Sequence, residues 1–149
     1  MEDLMLSAHV VVGIVFVGPV AVVTSLFPRY APVSIPSVRE SGERSTDVAR
    51  VLHRVTRVYG TLALAVPVTG LTLALVQGRT TDTWVIAAMA LTAVAGGLLA
   101  FRIAPLQREA LTSPDTGARL RRIGMSTGVF NLVWVVVVVL MVVRPGETA

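Results

Sequence analysis

The sequence predicts an all-α polytopic membrane protein, a bundle of four transmembrane helices with both termini extracytoplasmic. Three observations carry this. Of 149 residues, 54% are hydrophobic and 15% charged, where a soluble domain has roughly a quarter of its residues charged. The nine carboxylates (Glu2, Asp3, Glu40, Glu43, Asp47, Asp82, Glu109, Asp115 and Glu147) all fall outside four apolar stretches. The last of these, Gly124 to Val143, runs twenty residues without a charge. At ~1.5 Å per residue that is about 30 Å, the thickness of a hydrocarbon core. Its five consecutive valines, Val135 to Val139, favour a strand in water, but in lipid a lone span satisfies its backbone only as a helix.

Taken in order, span one covers about Leu4 to Leu26 and includes His9, with Pro19 expected to kink it. The following linker carries Pro28, Pro32 and Pro36 and reads as an irregular surface segment. Ser45-Thr46-Asp47 is an N-cap cluster. From it an amphipathic entry, with Arg50, Arg54 and Arg57 on one face, leads into span two, about Val58 to Val76, with Pro67 inside. Gln77 to Thr83 is short enough to make spans two and three an antiparallel hairpin. Span three covers about Trp84 to Phe101, with Arg102 and Pro105 marking its exit. Leu106 to Ala118 reads as a connection, the basic run Arg119, Arg121, Arg122 follows, and span four begins at Gly124. These spans use the whole length as a single transmembrane domain.

Eleven of the thirteen basic residues lie in the connections between spans 1 and 2 and spans 3 and 4, Arg39 among them; only Arg79 and Arg144 lie on the other side. Positive loops stay in the cytoplasm, so both termini are expected outside. The acidic start, MEDLML, lacks the basic region of a signal peptide, so span one is expected to be retained. All thirteen are arginine, a compositional bias. They sit beside lipid spans without an aromatic-rich basic face, so nucleic acid is not an expected partner. The absence of cysteine excludes disulfides, thiolate nucleophiles, covalent c-type haem and thiolate-held clusters.

Several motifs invite functional readings. Gly124-Met125-Ser126-Thr127-Gly128 matches the G-x-S-x-G nucleophile elbow, but that elbow needs a strand–turn–helix bend. The same residues form a GxxxG, and Gly124, Gly128 and Asn131 share a helix face, so a helix-packing seam is the expected role. A Ser126–His53 dyad would be the hydrolase alternative. His9 and His53 invite a b-type haem, yet antiparallel spans put them at opposite sides of the bilayer. Met5 and His9, a helical turn apart, are weak copper ligands; two ligands do not make a site, so no metal and no cofactor is expected. The basic stripe Arg50, Arg54, Arg57, Arg119, Arg121 and Arg122 is expected to face anionic headgroups or a partner. With no carboxylate at membrane depth, ion-coupled transport is disfavoured.

The segments HRVTRVYGTLALAVPVTG, RIAPLQREAL and GVFNLVWVVVVVLMVVRPG resemble a group of uncharacterised four-helix predicted integral membrane proteins of bacteria, some of the CopD-like type. The matching residues are Arg57, Tyr59, Gly60, Pro67 and Gly70, then Pro105 and Gln107, then Asn131 and Trp134. The resemblance implies a bacterial inner-membrane protein without catalytic residues to carry over and, through the CopD-like members, copper handling. The expected role is non-enzymatic, an accessory or scaffold subunit packing in the bilayer as a homo-oligomer or within a larger membrane complex. The alternative is a small carrier or binder of a metal, haem or apolar ligand in a pocket beside His9 and Asn131.

Overall fold

The structure is a computed structural model that describes residues 1–35, 42 and 44–146. Pro36, Arg39, Glu40, Glu43 and Glu147 lie outside the described residues. The chain folds into α1 (Glu2–Tyr30), α2 (Thr46–Leu62), α3 (Ala65–Val76), α4 (Thr83–Leu98), a π-helical turn (Leu99–Ile103), α5 (Ala104–Thr112) and α6 (Ala118–Val143), with no strand among the described residues. These make four helical stretches long and apolar enough to cross a membrane: Glu2–Tyr30, Thr46–Val76, Thr83–Thr112 and Ala118–Val143.

Every stretch runs past the apolar segment that marks it in the sequence at one end or both; the second and fourth stop with it only at Val76 and Val143. Pro28, expected in the linker, lies in the last turn of α1. That turn is held helical by burial of Phe27 and Ala31 and by Arg44, whose Nη1 donates to Pro28 O (2.9 Å) and Ala31 O (2.7 Å). A cation at a helix C-terminus satisfies carbonyls that have no intrahelical partner. The linker beyond is irregular but not wholly superficial, since Val33 is buried with Ala31. Ser45 caps α2 by accepting from Val48 N–H.

The two internal prolines act differently. α1 continues unbroken through Pro19. Pro67 instead coincides with a break, because α2 ends at Leu62 and α3 starts at Ala65. Proline lacks an N–H and its ring presses on the carbonyl four residues back. That carbonyl is Ala63, and the chain there turns through the short bonds Leu64 N→Thr61 O and Val66 N→Ala63 O. Pro105 does not end its helix either. The widened π turn just before it, where Ala104 N–H reaches Leu99 O, accommodates the missing donor and the bulk of the ring. The expected connection Leu106 to Ala118 is therefore mostly helix, and the true loop is Ser113 to Gly117.

α1 packs along α2 and α3 and against α6; α6 packs on α4; α5 returns to α2. One buried cluster (Phe27, Ala31, Val33, Ala49, Ala110, Leu120, Ile123) fills the end that carries the arginine-rich connections, and a second (Val20, Ala95, Leu99, Ile103, Phe130) fills the middle. The two connections are tied by Ser34 N→Asp115 O (2.9 Å). At the opposite end, which carries both termini, α3 and α4 barely touch despite being joined by a six-residue turn, 77–82. The bundle is closed at its basic end and splayed at its terminal end.

Candidate functional site

The splay leaves a cavity of about 450 Å³ to which all four spans contribute: His9 and Val10 of α1, Leu73 of α3, Trp84 and Met89 of α4, Met141 of α6, with Arg79 and Arg144 also lining it. Its size is that of a small-molecule pocket. His9 is 7% exposed and sits against α3 at Gly70, where a Cβ would come within 2.9 Å of its Cε1. Only glycine permits that approach.

The hydrogen bonds around His9 favour one tautomer. Thr69 Oγ1 lies 2.8 Å from Ala65 O, the back-bond of a helical threonine to its own preceding turn, and 2.8 Å from His9 Nδ1. With the hydroxyl hydrogen committed to the carbonyl, the threonine oxygen accepts, so Nδ1 carries the imidazole proton and Nε2 is the acceptor. Trp84 also lines the cavity, and its indole N–H finds no acceptor among the described residues. The guanidinium of Arg144 lies over that indole, 5.6 Å from the ring centroid, a cation–π distance. The site thus offers apolar walls and one imidazole nitrogen, while the Trp84 N–H is itself closed off from solvent.

Asn131 is not part of it. Its Nδ2 donates to Ser25 Oγ (3.2 Å), joining α6 to α1 nearer the basic end. Met5 does not line the cavity either; the thioethers there belong to Met89 and Met141 of other helices. His9 and His53 are apart, as antiparallel spans require: sixteen residues separate His53 from Thr69, the contact of His9, or about 24 Å of helix. Among the described residues no three His, Cys, Asp or Glu side chains gather as a metal site. Ser126 and His53 have separate partners. Ser126 Oγ accepts from Arg102 Nε (3.0 Å), and His53 Nδ1 pairs with Oε1 of the fully buried Gln107 (3.1 Å).

Gly124 and Gly128 face outward, with no atom within 4 Å of a Cβ added at either, so they do not pack within the chain. The basic stripe divides. Arg50 pairs with Asp47 (2.9 Å) and Arg119 with Glu109 (3.4 Å), whereas Arg54, Arg57, Arg121 and Arg122 are exposed.

The site and fold define a four-helix bundle, apolar enough to cross a membrane, with a histidine-tipped cavity at its terminal end. No family model matches the chain, and no curated protein or solved structure matches it.

Proposed function

We propose that this is a membrane-embedded binding protein for an apolar small molecule carrying a hydrogen-bond donor, such as a hydroxyl, held beside His9. One observation carries the reading: an almost fully buried histidine, hydrogen-bonded through Nδ1 to Thr69, stands at a cavity of about 450 Å³ with apolar walls. Nε2 makes no hydrogen bond among the described residues and is not sealed from solvent, so a ligand hydroxyl can donate to it. The test is purification from native membranes in mild detergent, organic extraction and mass spectrometry, with metal analysis and a visible spectrum alongside. One organic molecule per chain, lost in His9→Leu, supports the reading. Its persistence in His9→Leu, or copper or haem in its place, sinks it.

The membrane is inferred to be the bacterial inner membrane, with both termini outside. The support is charge asymmetry: among described arginines, ten lie toward the basic end and only Arg79 and Arg144 toward the terminal end.

A second reading, an accessory subunit that packs in the bilayer against a second copy or a larger complex, is favoured by Gly124 and Gly128. Both stand on the outward face of α6, where close backbone approach by another helix is sterically free. Gly128→Leu is expected to abolish association in mild detergent without affecting insertion. Unchanged migration would refute that reading and leave the cavity reading untouched.

A further inference from the structure

The basic end carries a second recess, between α2 and α5 and remote from the His9 cavity. It measures about 470 Å³ and is lined by His53, Arg57, Arg108 and Glu109, with Ala100 and Pro105 on the side toward the span centre. A neighbouring recess of about 580 Å³ continues along α2, sharing His53 and Arg57 and adding Arg54, Val58 and Leu62. Phe101, next to Ala100, is 85% exposed, a side chain suited to hydrocarbon. The recess therefore straddles the level where apolar surface gives way to charge.

Its charges do not balance. Arg54, Arg57 and Arg108 make no hydrogen bond or ion pair among the described residues. Glu109, the one carboxylate lining the recess, is engaged by Arg119, and Arg50, farther along α2, is engaged by Asp47. His53 is held in place through Nδ1 by Gln107, leaving Nε2 uncommitted among the described residues. Three uncompensated guanidiniums above an apolar wall ask for an occupant that is anionic at one end and apolar at the other. A free anion would use the charges and leave Val58, Leu62 and Ala100 uncovered.

We propose that this recess is a binding site for the phosphodiester headgroup of an anionic phospholipid. Arg57 and Arg108 take the phosphate from the two sides of the α2–α5 groove, Arg54 adds charge, and an acyl chain lies along Val58 and Leu62. Arginine suits the role because its planar fork donates two parallel hydrogen bonds to phosphate oxygens. The site is narrower than general attraction of a basic face to a negative leaflet. It excludes the paired Arg50 and Arg119 and depends on groove position, not on charge count.

The experiment adds phosphatidylglycerol or phosphatidylcholine to the full chain in mild detergent and reads bound lipid by native mass spectrometry. About one phosphatidylglycerol per chain is expected to be retained in preference to phosphatidylcholine. Arg57→Gln/Arg108→Gln should weaken that preference about 30-fold, the effect of two surface arginines. Arg121→Gln/Arg122→Gln removes the same charge from the exposed start of α6 and should change it less than threefold. Equal losses in the two double variants would reduce the effect to a diffuse field and overturn the site. So would inorganic phosphate binding as tightly as the lipid, since the apolar wall would then contribute nothing. If the first double variant fails to insert, Arg108→Gln alone should still lower the preference about fivefold, and no change there would equally refute it.

Discussion

Gly70 stands where α3 meets His9, and Gly70→Ala tests whether that approach is what holds the ring. A Cβ at this position lies 2.9 Å from His9 Cε1, 3.5 Å from Nε2 and 3.6 Å from Nδ1, so the imidazole has to move. On helix propensity alone, alanine should stabilise by roughly 0.5–1 kcal/mol. Against this stands the His9–Thr69 bond of 2.8 Å, whose loss costs about 1 kcal/mol net. Overpacking adds ~1–3 kcal/mol. The expected sum is a destabilisation of about 1–3.5 kcal/mol. In a His9→Ala background the obstacle is gone, and the same substitution should stabilise by its ~0.5–1 kcal/mol of propensity. The double-mutant cycle thus predicts a coupling of about 2–4 kcal/mol between residues 9 and 70. Reversible unfolding of the four detergent-solubilised proteins measures it. A coupling below ~0.5 kcal/mol, or a Gly70→Ala protein more stable than wild type, refutes the reasoning.

Two further outcomes follow from the other end of the bundle and from the orientation. Asp115 Oδ1 accepts from Gly117 N–H (2.8 Å) and Oδ2 from Arg119 N–H (3.0 Å); these bonds, the first above all, hold its carboxyl below the ordinary carboxylate range. A lowered folded-state value means that the stabilisation is present above the unfolded-state value and lost as pH falls through the folded one. Asp115→Ala should therefore cost about 1 kcal/mol at neutral pH, as removal of a helix-entry cap does, and flatten the acid limb of a stability–pH curve below about pH 4. For orientation, a reporter fused after the last residue should read as extracytoplasmic; a cytoplasmic signal inverts the assignment.

The number of helical stretches was legible because lipid-scale apolar runs are a strong signal, and the Ser45 cap because its chemistry is local. The helix ends were less so. Pro28 and Pro105 read as stops from their own chemistry, but each is overridden by something distant or irregular: Arg44 reaching back to the carbonyls of Pro28 and Ala31, and a π turn ahead of Pro105. At the site, His9 was visible as an ionisable residue within an apolar run. Its neighbours were not, because Thr69, Trp84, Met89 and Met141 converge on it from three other spans. Met5 was a natural companion by helical spacing, but spacing along α1 says nothing about what the other helices bring. Asn131 was singled out correctly as polar and wrongly as a neighbour of His9, since its register on α6 sets it against Ser25.

The cavity itself traces to an asymmetry between the two ends of the bundle. At the basic end the connections fold inward: Arg44 caps α1, Ser34 bonds to Asp115, and Val33 joins a core with Ala110 and Leu120. Those contacts tie all four spans together. At the terminal end α3 and α4 are joined by their six-residue turn and barely touch beyond it, and no comparable cluster forms among the described residues. The break ahead of Pro67 lets α3 follow α1 instead of α4, and Gly70, one turn beyond Pro67, lets it come close enough to seat His9. Pro67 and Gly70 together therefore turn a four-span bundle that could have packed shut into one with a histidine-tipped cavity.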